Sequence, residues 1–449
     1  MRWSLAFAIV TATWLPVAAV LPKQATLPIL HPSGPLRLTH SARIAPGTYR
    51  IPAGRGQAAI VLDGDHLRLD LRGVVIESGM ADAAKRQGIG ILAEGHHDLT
   101  IIGGAIHGYR FNFACRQCAH LQVADTNLDG SRAQRLLSTA THFDARDWVD
   151  IFHLRAWRSY GAGMWLENVR QAWIHGVHAE AGQNGILLVF SRHVTLAGNH
   201  VSHNSGWGIG LFDSSRNLIV RNRADWDVRC EGRTYSAGCD SAGLLLMEGS
   251  NENRILHNRL RHSGDGLFLT RARSGRPSDR NLMAYNDASD SPHNAFECTF
   301  SRGNEFIGNL ANGSDYGFWL GFSRGLLLAS NRADGNRHDG VAIEHGRQNQ
   351  LLYNYFYNNG HAGVRLFRRP PSAVRSRDYL IAGNHFRGNQ AGIILSQTSS
   401  VLLEANRFTD NHVAIRLDAG EPAPEARSNL FKGMSQLQLA RKARVTRVQ

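Results

Sequence analysis

The chain has 449 residues, 43% of them hydrophobic, with 46 Gly, 13 Pro and a formal net charge of +13. This composition excludes a disordered chain, and the length exceeds one ordinary core unless the fold is a barrel or a repeat array. The positive charge suits an acidic polymer; the arginines are scattered, with no basic block before residues 441–447, so nucleic acid is not expected as a partner.

Residues 1–19 read as a signal peptide: Arg2 opens it, an apolar stretch runs from residue 5 to 20, and Val17-Ala18-Ala19 offers small residues for cleavage. No later stretch has the ~20 apolar residues that a membrane helix needs. A periplasmic or extracellular protein without a membrane span is expected. Cysteine usage agrees with an oxidising compartment, since Cys230 and Cys239 flank the polar segment 231–238 and are expected to be joined. Cys115 and Cys118 form a CxxC with no second ligand pair for zinc and no βαβ setting for redox chemistry. A local bridge or two buried thiols remain for them, and Cys298 is left unpaired.

After an N-terminal segment at 20–59, residues 60–420 repeat. An apolar-x-x-Asn string recurs at Asn199, Asn222, Asn258, Asn286, Asn309, Asn331, Asn354, Asn384 and Asn406, a period of 22 or 23 broken by three longer coils. A second marker keeps the same beat at Gly163, Gly185, Gly208, Gly243, Gly266, Ala295, Gly317, Gly340, Gly363 and Gly392, each followed by an alternating strand. Short β-runs at this period, without helical patterning or the leucine-rich string, predict an all-β fold: a single right-handed parallel β-helix whose coils stack ~4.8 Å apart. Stacked asparagines are then structural, forming amide ladders up one turn. Residues 421–449 are read as a C-terminal cap and basic tail.

The pattern over residues 60–420 resembles the parallel β-helix repeat proteins, the group with NosD-like and carbohydrate-binding or sugar-hydrolase domains; Gly47-Thr48-Tyr49-Arg50-Ile51-Pro52 is similar to the first strand of such chains. The resemblance implies the fold, while its members span lyases, hydrolases, epimerases and non-enzymatic accessory proteins.

The long coils locate a cleft. Insertions at 227–240, 272–278 and 369–377 flank the marker-Gly strands on both sides, so that strand column is the expected floor and the insertions its walls; an excursion at 131–160, with Trp148 and Trp157, is expected to close one end. Positions one and three after the marker are apolar and should fill the interior, as in Phe318 and Leu320 or Val341 and Ile343. The outward columns carry Glu297, Trp319, Arg365 and Glu344, and just ahead of the markers stand Asp265, His293, Asp315, Tyr316, His338, Asp339 and His361. Rings beside convergent carboxylates suit a saccharide, because ring faces take up C–H groups and carboxylates move protons.

A polysaccharide or oligosaccharide partner is therefore expected, bound by Trp319, Tyr316, Asp265, Arg365, Arg368 and His338 along coils 265–368. Cleavage of glycosidic bonds by paired carboxylates leads, with Glu297, Glu344, Asp315 and Asp339 as candidates, adjacent coils giving ~4.8 Å of separation and alternate coils twice that. Elimination or C5-epimerisation of an acidic uronate polymer is the alternative, using His293, Tyr316, Arg365 and Arg368. Ser291-Pro292-His293-Asn294 is faintly similar to the Asp-Pro-His-Asp string of alginate C5-epimerases, and carries over only His293 as catalytic. A non-catalytic NosD-like binding role is third. No cofactor or metal is expected for hydrolysis; a lyase would recruit calcium through Asp265, Asp315 or Asp339. A monomer is expected.

Overall fold

The computed structural model describes residues 27–433 apart from 140, 231–237, 272, 370–375 and 419–420. The signal peptide and the basic tail expected from sequence lie outside the described residues. The chain winds as a right-handed parallel β-helix of three sheets: one of 16 strands, one of 15, and a third side of three and five strands, every strand pair parallel. Single bridges through Asn127, His178, His200, Arg223, Arg259, Asp287 and Leu310 connect the two parts of the third side. Among the described residues no helix is long and apolar enough to cross a membrane.

The solenoid starts earlier than the repeat suggested. Strands Leu36–Leu38, Ala42–Ile44 and Gly47–Arg50 already sit in the three sheets, so residues 29–59 are its first coil rather than a separate cap. Strands Glu425–Arg427 and Leu430–Lys432 extend the stack past 420.

Alternation puts one residue in two into a continuous interior. Phe318, Leu320, Val341 and Ile343 have no exposed surface, and Phe356, Phe386, Phe408 and Phe431 stack coil on coil at 4.8–5.2 Å. Where the chain turns, the asparagine ladder does what the period predicted. Asn309 donates to Asn331, Asn331 to Asn354, Asn354 to Asn384 and Asn384 to Asn406, each Nδ2 to Oδ1 at 2.9–3.0 Å. A second ladder through Asn336, Asn359, Asn389 and Asn411 and a third through Asn217, Asn253, Asn281 and Asn304 follow the same logic. Buried backbone amides that a turn leaves unpaired find a carbonyl oxygen one coil away.

Both disulfides form, Cys230–Cys239 as expected and Cys115–Cys118 as the local bridge; Cys298 is free and buried.

The 15-stranded sheet is the floor, but only part of it is open. The excursion at 131–160 does not close an end. It folds across the middle of the sheet, where the short helix Leu154–Trp157 sets the Trp157 ring 4.3 Å from Trp207 and 5.3 Å from Phe212. Beneath it Leu187, Val189, Leu245 and Met247 are fully buried, so these outward columns are a second hydrophobic core and not a surface. Gly210 makes the contact possible, since a Cβ there would stand 2.9 Å from the Trp157 ring.

Candidate functional site

On the C-terminal side of this ridge the floor reopens as a cleft of about 400 Å³. Strands Asp265–Leu269, Asn294–Cys298, Tyr316–Trp319 and Val341–Glu344 form its base. Glu297, Trp319, Gly321 and Glu344 line it, with Phe300, Phe322, Phe152, Arg271 and Arg273 around them. The strands are held in register by pairs such as Leu267↔Phe296 and Glu297↔Trp319, which place one outward residue per coil at strand spacing.

At one edge of the cleft four ionisable groups meet. Asp265 is almost fully buried and accepts from the Asn294 backbone N–H at 2.9 Å, with His293 Nδ1 also 2.9 Å away. Asn294 Nδ2 donates to Glu297 Oε2 at 2.7 Å, and the ligand atoms of Asp265, His293 and Glu297 all lie within 4.8 Å of one another. Asp240 adjoins this group and accepts a hydrogen bond from Trp148 Nε1 at 2.6 Å. Burial, reinforced by the charges of Asp265 and Asp240, pushes the Glu297 carboxyl up to about 8 despite the His293 cation beside it. Burial works against the His293 imidazolium, but the ion pair and hydrogen bond with Asp265 outweigh it and hold the ring at about 9. Burial likewise raises Asp240 to about 6, partly offset by the Trp148 hydrogen bond. At neutral pH the cleft thus holds a protonated acid, Glu297, with a largely ionised carboxylate, Asp240, among its neighbours.

The other residues singled out by sequence fall into two groups. Trp319 and Tyr316 are half-buried on the floor with rings 5.0 Å apart, and Tyr316 stacks on His338 at 4.9 Å. Arg365 crosses to Asp339 Oδ2 at 2.6 Å and stacks over Phe367, while Arg368 binds Gln397. Asp315 and Asp339, expected as catalytic, are buried and already paired. Asp339 has no exposed surface and Asp315 little. Each carboxylate holds a histidine of the next coil, His338 Nδ1 at 2.9 Å and His361 Nδ1 at 2.7 Å, and an arginine besides. Asp265, proposed from sequence as a sugar-binding residue, is likewise buried and engaged with His293 Nδ1 at 2.9 Å. Glu344 is nearly buried, with His345 Nδ1 at 3.2 Å and Arg369 Nε at 3.7 Å.

Glu344 also stands two strand steps from Glu297 and two residues further along its strand, roughly 12 Å by strand geometry, which makes it a poor partner for a shared bond. Sequence reasoning missed Asp240, Arg271, Arg273 and the ring pair Phe300–Phe322. Asp240 had a signal: it directly follows Cys239, so the expected disulfide was already pinning it at the wall of the floor.

The profile of the NosD family, described as periplasmic copper-binding protein, matches residues 237–426, and that of the right-handed β-helix region matches residues 90–274. A 3-dehydroshikimate dehydratase of Acinetobacter baylyi is 29% identical over 201 residues, covering 39% of this chain and 41% of the enzyme. The chain thus aligns with less than half the length of that curated relative. Among solved structures, the A-module of the mannuronan C-5 epimerase AlgE4 of Azotobacter vinelandii matches with a TM-score of 0.50 at 14% identity, over 86% of this chain and 91% of that one. The AlgE6 A-module of the same organism gives 0.49 at 12% identity, over 88% and 91%. The AlgE4 likeness speaks for the fold alone.

The copper of the family description meets no fitting donor set in the matched segment. Of its described residues one group brings three donors together, Asp265, His293 and Glu297, and it is oxygen-rich; the cysteines there are disulfide-bonded or buried. Stacked coils, three parallel sheets, amide ladders and both profiles agree: the chain belongs to the right-handed parallel β-helix family.

Proposed function

We propose that the cleft cleaves an acidic, uronate-bearing polysaccharide by elimination, outside the cytoplasm. The observation that carries this reading is the pair of Glu297, which holds its proton to about 8 in a cleft also lined by Arg271 and Arg273, and the neighbouring Asp240, which releases its own at about 6. Elimination needs three things: a base for the hydrogen on the carbon beside the carboxylate, a proton for the leaving glycosidic oxygen, and positive charge to quiet the carboxylate. Asp240 is assigned the first role, Glu297 the second, and Arg271 and Arg273 the third. Among the described residues neither arginine has a carboxylate within ion-pair distance, and Arg271 lies over the Phe300 ring at 4.3 Å. Trp319 offers a stacking face for a sugar ring. His293, oriented by Asp265, keeps a positive charge beside Glu297 and limits how far its acidity is suppressed.

The relatives are compatible with this chemistry. One is named a dehydratase, an elimination, and a fold neighbour is named an epimerase of mannuronan. The two disulfides and the periplasmic family description support the compartment.

Hydrolysis is the second reading, favoured by the same acid and carboxylate pair, with Asp240 activating water instead. Incubation with galacturonate, mannuronate and neutral polymers separates the two. Elimination gives new chain ends that absorb as unsaturated uronates; hydrolysis gives reducing ends without that absorbance. No new ends on any polymer would overturn both.

The pair also predicts a pH profile. The base must be ionised and the acid protonated, so kcat/KM is expected to rise through about 6 and fall through about 8, peaking near 7. An activity that climbs unchecked to pH 9 would remove Glu297 from the donor role.

A further inference from the structure

The ridge at 131–160 has two sides. Phe152 faces the cleft described above, while Arg155 and Arg158, a few residues on, face a separate pocket of about 560 Å³ on the N-terminal coils of the same sheet. Six strand steps separate strand Phe111–Arg116 at this pocket from strand Asn294–Cys298, or about 29 Å at strand spacing.

The pocket is lined by arginine and lysine, with no acid in its wall. Arg116, Arg158 and Lys85 have partners, Glu94 at 3.8 Å, Glu167 at 2.5 Å and Asp82 at 3.6 Å. Arg55, Arg86, Arg110, Arg132 and Arg155 have no carboxylate within ion-pair distance among the described residues. Arg86 is held by the carbonyls of Gly130 and Ser131, and Arg110 by that of Tyr160 while lying over the Phe111 ring. Arg132 keeps a buried Nε with no hydrogen-bond partner. Burial, and then the charges of Arg132, Arg116 and Arg55, press the Arg110 pKa down. A folded chain gains nothing by gathering unpaired cations around a cavity of ligand size, and an anion in the pocket would relieve the repulsion and supply the missing acceptors.

We propose that this basic pocket is a second carbohydrate site, which anchors a carboxylate-bearing oligosaccharide while the cleft across the ridge acts on another stretch of the same polymer. The choice of a uronate as ligand rests on the proposed function; the anionic character of the ligand does not. The pocket is cut off from the cleft by the Trp157 ridge, so its occupant holds the chain at a distance from the reacting bond.

The test measures binding of fluorescently labelled oligogalacturonate and oligomannuronate to the full chain, with malto-oligosaccharide of equal length as the neutral control. Arg55 and Arg155 are exposed, and Arg55→Gln/Arg155→Gln leaves the packing untouched; Arg110→Gln probes the inner wall. Uronate affinity is expected to fall about tenfold or more in the double variant, with a shallower salt dependence. On the long polymer KM is expected to rise with kcat unchanged. Glu297→Gln, by contrast, is expected to lower turnover by about 10²–10⁴-fold and leave this affinity intact. Unchanged affinity in both arginine variants, equal binding of the neutral oligomer, or full displacement by equimolar inorganic sulfate would each overturn the proposal. If the cleft proves to act on neutral sugars, uronate binding that is lost in the arginine variants still upholds the second site.

Discussion

Glu297→Gln is expected to lower kcat/KM by about 10²–10⁴-fold without unfolding the chain. The amide matches the carboxylic acid in shape and can still accept from Asn294 Nδ2, but it has no proton of suitable acidity to give a leaving oxygen. Glu344→Gln tests the alternative carboxylate; its partners Arg369 and His345 make a smaller effect on turnover the expected result. Equal loss in both variants, or full activity in the first, would relocate the acid.

A stability measurement reads the same group independently of any substrate. The Glu297 carboxyl keeps its proton to about 8 in the folded chain against an ordinary 4.5, so the folded state binds more protons between these values. Its contribution is therefore complete at low pH and is lost as pH rises through about 8. His293, raised from 6.5 to about 9, acts in the same direction over a later window. Thermal melts of the wild type should fall between pH 5 and 9, and those of Glu297→Gln should fall less. A Tm difference independent of pH would contradict the buried-acid assignment.

The largest structural effect is expected from Asn331→Ala. Asn331 has no exposed surface, and its Oδ1 accepts from both the backbone N–H and Nδ2 of Asn309, at 2.9 and 3.0 Å. Its own Nδ2 donates to Phe306 O and Asn354 Oδ1. Alanine leaves two buried donors of Asn309 without an acceptor, at about 1–3 kcal/mol each. A loss of about 2–6 kcal/mol is expected, whereas the exposed Gln350→Ala in the neighbouring coil should stay within about 0.5 kcal/mol. Because each coil contacts only its neighbours, hydrogen exchange should quicken first in the coils around 309 and 354. Uniform acceleration along the solenoid would show that the ladder acts globally.

The sequence by itself determined the scaffold. A period of 22 or 23, an asparagine at each turn and alternation in each strand are local properties, and stacking identical positions turns them directly into sheets, ladders and a core. The same reasoning identified the floor sheet and placed Glu297, Trp319 and Glu344 on its open stretch. It also joined Cys230 to Cys239.

Only the tertiary structure decided which outward residues are surface. A period-2 pattern places Leu187, Leu245 and Met247 in the same columns as Glu297 and Trp319, and says nothing of the Trp157 ridge that covers the former and spares the latter. It decided, too, that Asp265, Asp315 and Asp339 spend their carboxylates on histidines of the next coil. Acidity is a long-range property set by burial and by charges brought together from different coils. Asp240 becomes part of the site because a disulfide-pinned insertion, an excursion tryptophan and two floor strands converge on it, and none of these is its neighbour in the repeat.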